Sequence, residues 1–392
     1  MSNNAAEFDH WIRNEFADIN TELETLYMAE NAGATIPAAG EKLRDQLCKG
    51  GHDHIVRLLN EGNTDEGFDA AFDLLGNVGL YMGACRRHEI TEPSREQTSP
   101  LVEASGLAMH IGASLGVAPR FATSHLSTHS LAITGSYKSF THLPDEKLFL
   151  EYNTRGIFAY KRAADALVRT VPLGISHPVT YDLLVAAKAA LEDVAVFNNE
   201  LFAKLDTDQF FYCVRPYYKP YRVGRTEYRG ANAGDFAGIN EIDLLLGLCR
   251  AQDPSYAQLL VDKFLYMVPP DQERLRDCMR RESILDQLLT GLSSAKNSTW
   301  FEKNASMFLQ VCAAHGETAR QHHEQLVNRF IVRPSADLPP ENMKGITASG
   351  PPLEVLIHAL EKLKDQRCAN NVPGIGSRYD DIQAVKTALG QL

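Results

Sequence analysis

From Thr299 to Ile331 the sequence sets apolar and small residues at steps of four and three: Phe308, Cys312, His315, Ala319, His322, Leu326 and Phe330. That spacing is the stripe of one long amphipathic helix. Pro334, Pro339 and Pro340 end it, since proline cannot continue the hydrogen-bond ladder. A helix of this length must bury its stripe against other helices, and the rest of the chain supplies them. Residues 7–31 place Phe8, Trp11, Ile12, Phe16, Ile19 and Leu23 at helical spacing. Residues 67–87 and 101–116 read the same way, and so do 155–205, interrupted by Pro172 and Pro178. Within that last stretch Leu183, Leu184, Ala187, Leu191, Val194 and Ala195 mark one buried face. Further helices are expected over 239–250, 255–267, 271–292 and 352–366, with a short one near the C-terminus. No run alternates as strands do, and no repeat or low-complexity tract is visible, so the expected fold is all-α. The polar segment Thr91 to Pro100 is the best boundary. It divides a small N-terminal helical region, 1–98, from a large helical region, 99–392.

Charge narrows the function classes. The net charge of −11 argues against general nucleic-acid binding and against an anionic membrane surface, both of which reward excess Lys and Arg. The seven cysteines are scattered and odd in number and form no CxxC pair, which points to a reducing, cytoplasmic setting. Met1-Ser2-Asn3-Asn4 opens no basic and then apolar leader, so no signal peptide is expected. No uncharged apolar run approaches the roughly 18 residues of a membrane span.

Five constellations carry chemistry. The long helix holds Arg320-Gln321-His322-His323. Histidine is the usual protein ligand of a haem iron, although buried helices also keep histidines for packing. Periodicity alone favours His322 as the more central of the two. Phe210-Phe211-Tyr212-Cys213-Val214-Arg215 ends an aromatic run in an arginine, whose planar fork suits a carboxylate; an ordinary ion pair fits the pattern too. Arg229 to Gly238 repeats glycine every fourth residue among small residues, where backbone can press on a flat ligand or another helix. It is neither a P-loop nor a dinucleotide fingerprint, and Asp235 is placed to cap the next helix. Arg215, Tyr217, Tyr218, Lys219, Tyr221, Arg222, Arg225, Tyr228 and Arg229 interleave basic and aromatic groups, which can neutralise an anion or form a structural network. Last, Ser124-His125 with His129, and His52-Asp53-His54, are weak pairs; no HExxH pattern completes a zinc site.

Taken in order, these pieces resemble the indoleamine and tryptophan dioxygenase superfamily over about Ala166 to Lys364. The tyrosine-rich Arg215–Asp235 segment is most similar to the monodechloroaminopyrrolnitrin synthase branch. In this resemblance Phe210 to Arg215 looks like the segment whose arginine holds the substrate carboxylate. Tyr228 to Leu248 looks like the glycine-rich loop and its helix, keeping Gly230, Ala233, Gly234, Asp243, Leu245, Leu246 and Gly247. Met267-Val268-Pro269-Pro270 resembles the family's Met-Pro-Pro turn, and Lys344 to Gly350 its mobile loop. Arg320 to Ile331 resembles the proximal-histidine helix, which makes His323, not His322, the iron ligand and sets Arg320 beside a propionate.

The resemblance implies an indoleamine-dioxygenase-like helical protein binding haem b. It implies an oxygenase acting on tryptophan or a derivative, by oxidative rearrangement of the indole as in pyrrolnitrin-type secondary metabolism. Ring-opening dioxygenation and non-catalytic haem binding are the alternatives. Phe211, Arg215, Ala231, Asn232, Ala233, Gly234, Thr347 and Ser349 are the implied substrate contacts, and Ser124 and His125 the implied distal residues. Dioxygen or peroxide is the implied co-substrate, with an electron donor where reducing equivalents are needed, and with no nucleic-acid or membrane partner.

Overall fold

The computed structural model describes residues 2–30, 39–62, 67–130, 132–133, 135, 137–231, 235–293, 298–336 and 352–391. Helices carry most of it. Their order is α1 (Asn3–Arg13), α2 (Glu15–Ala29), α3 (Glu41–Glu61), α4 (Phe68–Arg87), α5 (Val102–Leu115), α6 (Pro144–Leu173) and α7 (Pro178–Lys204). Then follow α8 (Thr207–Gln209), α9 (Ala237–Leu246), α10 (Pro254–Phe264), α11 (Pro269–Cys278), α12 (Ile284–Gly291), α13 (Thr299–Gln321), α14 (Arg333–Ala336), α15 (Leu353–Arg367) and α16 (Tyr379–Ala388). The all-α expectation holds. Among the described residues the chain also forms a two-stranded antiparallel ribbon, β1 (Tyr221–Val223) and β2 (Thr226–Tyr228). Tyr221, Val223 and Tyr228 are β-formers, and Gly224, at φ +56°, makes the two-residue turn between the strands.

Several helices differ from their sequence pattern for local reasons. The stretch 7–31 is two helices, because the backbone of Asn14 leaves the helical region (φ −121°, ψ −93°). Its side chain meanwhile bonds back to His10 O at 2.7 Å. The stretch 271–292 is also two helices, α11 and α12, the second capped by the Ser283 side chain on Asp286 N–H. Helix α3 escapes periodicity analysis because Gly50-Gly51 and His52-Asp53-His54 interrupt its apolar stripe. The stripe is real and narrow: Leu47, Gly51, Ile55 and Leu58 are its buried positions. His52 and His54 diverge. The first is exposed, and the second packs on Phe8 and Trp11.

The chain groups into two compact units. The first comprises 1–151, 204–235 and 330–353, and the second 152–203, 236–329 and 354–392. At the centre of the first is α4, buried at nearly every position from Leu74 to Cys85 and packed against α5. The Thr91–Pro100 segment lies inside this unit, where Ser99 N–H donates to Gly224 O at 2.8 Å. The second unit is built on α6, α7, α9, α12 and α13, with Leu167, Leu184, Leu191, Ile242, Leu246, Leu288 and Phe308 at its core.

Candidate functional site

After α8 the chain widens into a π turn over Phe210–Val214 and then tightens into a 3-10 turn over Arg215–Tyr218. The widening is visible in one bond, Arg215 N–H to Phe210 O. Arg215 is buried, with 6 % of its surface exposed, and its guanidinium lies over the Phe211 ring at 5.4 Å. Among the described residues it has no carboxylate partner. Burial by itself pulls it down to about 10. A buried cation is costly unless an anion joins it. Its surroundings are otherwise settled: Arg222 pairs with Glu227, Arg229 with Asp235, and Arg87 with Glu24 at 2.7 and 2.8 Å. Lys219 adds positive potential. Burial first, then Arg86, Arg215 and Arg87, lower it to about 7. Asp235 pairs with Arg229 and does not cap α9, because the N-cap position falls on Phe236, one residue later.

The 3-10 turn Thr123–His125 sits on α4. Two glycines of α4 make room for it. A Cβ on Gly76 would stand 2.7 Å from His125 Cδ2, and one on Gly79 would stand 2.4 Å from the Phe121 amide nitrogen. The spacing of Gly76, Gly79 and Gly83 within an apolar helix is the sequence signal for this seat, and the sequence reading passed over it. His125 stacks on Phe72 with ring centroids 3.8 Å apart. Burial pulls its pKa down to about 3, so the ring is neutral. Thr123 Oγ1, Ser124 Oγ and His125 Nε2 are all buried, and among the described residues none has a hydrogen-bond partner. Three consecutive residues thus aim unsatisfied polar atoms into the interior, which native proteins avoid unless a ligand or water completes them.

In the second unit α13 does not stop at Gln321. It continues in the wider i→i+5 winding over His322–Val332. His322, central on an ideal helix, is exposed, while His323 is buried with 6 % exposed. The Nδ1 of His323 is buried without a partner, and Nε2 stands 3.7 Å from Glu361 Oε1, beyond hydrogen-bond length. Among the described residues neither nitrogen is consumed by a hydrogen bond, so the imidazole keeps a lone pair for a metal. Among the described residues no three ligating side chains converge as a bare ion requires. A haem iron, held by its porphyrin, asks for one histidine, and His323 fits that demand. Arg320 is exposed and pairs with Glu317, so a propionate there would have to compete with that carboxylate.

A second buried polar cluster anchors the same helix. The Asp243 carboxylate accepts from His315 Nε2 at 2.7 Å, from Arg367 at 2.7 and 2.8 Å, and from the Tyr256 hydroxyl at 2.8 Å. Burial would raise its pKa, but Arg367 and His315 outweigh that and hold it well below the usual carboxylate range. The cluster joins α9, α10, α13 and α15.

Phe211 and Ala231 are buried. Asn232, Ala233, Gly234, Thr347 and Ser349 lie outside the described residues. Among the described residues no helix is long and apolar enough to cross a membrane. Compared with known protein families, residues 2–389 match the model described as monodechloroaminopyrrolnitrin synthase PrnB.

Proposed function

The chain belongs to the monodechloroaminopyrrolnitrin synthase PrnB family, haem-dependent oxygenases of an indole amino acid, and on that premise we propose that it oxidatively rearranges the indole of tryptophan or a tryptophan derivative. The observation that carries the substrate class is Arg215, a buried cation with no carboxylate partner among the described residues. An amino-acid carboxylate is the partner its fork suits. Phe211, stacked beneath the guanidinium, keeps the fork in place.

His323 is the residue proposed to hold the haem, of the b type, through a ring nitrogen that has no partner among the described residues. When bound, the haem supplies the oxygen chemistry that no side chain can perform. The chain's own work is placement. Arg215 fixes the carboxylate end of the substrate. The Thr123–His125 turn meets the polar atoms at the other end with Ser124 Oγ and His125 Nε2. Phe72, Phe121 and the α4 glycines close that turn against water. Ala231, Asn232, Ala233 and Gly234 are proposed to touch the flat ring, and Thr347 and Ser349 to belong to a lid. Arg320 is proposed to exchange Glu317 for a propionate. Dioxygen is the co-substrate; use of peroxide and of an electron donor belongs to the proposal, as does a cytoplasmic location, in keeping with seven free thiols.

The test is the visible spectrum of the haem-loaded protein. A Soret band is expected to shift on adding tryptophan, to be lost or greatly altered in His323→Ala, and to stop responding to tryptophan in Arg215→Leu. A band indifferent to His323 would sink the ligand assignment. Product mass then separates the chemistries: ring-opening adds both oxygen atoms and keeps every carbon, whereas the rearrangement loses the carboxyl carbon.

A further inference from the structure

The hydrogen bonds around His125 fix which of its nitrogens carries the proton. The Ala122 N–H points at Nδ1 from 2.9 Å. The Ala122 carbonyl, 3.2 Å from the same nitrogen, already accepts the backbone N–H of His125 at 3.0 Å. A proton on Nδ1 would set two N–H donors against each other and leave the Ala122 amide with no acceptor. A proton on Nε2 instead leaves Nδ1 free to accept the Ala122 N–H, while the Ala122 carbonyl keeps the His125 backbone N–H. Rotating the ring by half a turn is no escape, because it would put a carbon where the amide needs a lone pair. Phe72 on one face and Gly76 at Cδ2 hold the ring where it is. The ring is neutral, so it carries a single proton. Nε2–H therefore enters the interior as a donor with nothing among the described residues to receive it.

A donor cannot accept the N–H of an indole. A tryptophan-like ligand and its co-substrate offer acceptors of one kind only, oxygen atoms, since the indole nitrogen has its lone pair in the ring and an ammonium has none. We propose that His125 is a fixed hydrogen-bond donor to an oxygen atom of the bound reactants, and that Ser124 Oγ, able to accept, takes the indole N–H. The proposal rests on the indole-oxygenase reading. It divides the labour of two adjacent residues that sequence alone treats as interchangeable. The oxygen has two sources, the co-substrate and the amino-acid carboxylate. With Arg215 available to the carboxylate, the co-substrate is favoured.

The first measurement needs no haem. In the full-length chain labelled with 15N-histidine, the His125 signals are identified by their absence from His125→Gln. A pyridine-type Nδ1 and a pyrrole-type Nε2 are expected; the reverse pattern overturns the proposal. The second uses the haem-loaded ferrous protein with carbon monoxide as an oxygen-site probe. A C–O stretch lowered equally in the wild type and His125→Gln, which keeps an N–H donor, and raised in His125→Leu assigns the acceptor to the co-substrate. If the three bands coincide, tryptophan and tryptamine affinities decide. A loss of about tenfold or more in His125→Leu for tryptophan alone assigns the carboxylate, and unchanged affinities for both overturn the proposal. Soret intensities show whether each variant folds and loads. A wild type without a Soret band would refute the oxygenase reading and leave the nitrogen assignment to stand or fall on the first measurement.

Discussion

Arg215 and Arg367 are both buried arginines, and the protein treats them in opposite ways. Arg367 meets a carboxylate, Asp243, that also receives His315 and Tyr256, so every strong charge there is answered from within the fold. Arg215 meets a phenylalanine ring and, among the described residues, no carboxylate. The two buried histidines do not divide this way: among the described residues His315 has Nε2 bonded to Asp243 and Nδ1 without a partner, and His125 has Nδ1 bonded to the Ala122 N–H and Nε2 without one. Buried polarity that is complete within the chain supports the fold; buried polarity left incomplete is free to recognise something else. The two clusters should accordingly respond in opposite directions to the same kind of substitution.

The largest effect belongs to the completed cluster. Asp243→Ala strands Arg367 and His315 in the interior and is expected to cost about 3–5 kcal/mol of folding stability, read by denaturant unfolding. A loss close to zero would break the contrast. Arg215→Leu comes next and should weaken binding of the amino-acid substrate by about 2–4 kcal/mol. Its folding stability should stay level or rise, because an unanswered charge has left the interior; a large fall in stability would mean that Arg215 is structural after all. Gly79→Ala should cost about 1–3 kcal/mol through overpacking, since its new carbon meets the Phe121 backbone rather than a movable side-chain tip.

The smallest effect is in acid. Burial sets the His125 pKa near 3 in the folded chain, against about 6.5 unfolded. The unfolded chain therefore binds the proton first, and this residue's contribution is intact above 6.5 and is lost as the pH falls toward 3. The first pH unit below 6.5 should remove at most about 1.4 kcal/mol. His125→Gln should be free of that loss, and parallel stability curves for the two proteins would contradict a buried neutral ring.

Helix existence was legible in the sequence because apolar spacing reports it directly: α4, α5, α7, α13 and α15 lie where the stripes predict. What the sequence hides is geometry that departs from 3.6 residues per turn. Periodicity singled out His322, and only resemblance to a family pointed to His323. The winding widens from His322 onward, and no apolar count contains that change. The ribbon at Tyr221–Tyr228 was hidden among arginines and tyrosines, and α3 behind its glycines. Arg215 was visible as an arginine after aromatics; that no carboxylate answers it is a property of the folded chain. The α4 glycines were legible in principle, since three glycines in a buried helix must admit something close, and what they admit is the His125 turn.

The wide winding of His322–Val332 makes chain length itself a constraint. Deleting one residue there would let the segment relax to ordinary helical pitch and swing all that follows by about 100°. Phe330, whose edge meets the Phe210 ring at 5.9 Å, would leave its neighbour. The outward side chains His322, Glu324 and Gln325, by contrast, can be exchanged with little penalty. Over these eleven residues the protein should therefore accept new spelling but not a missing letter.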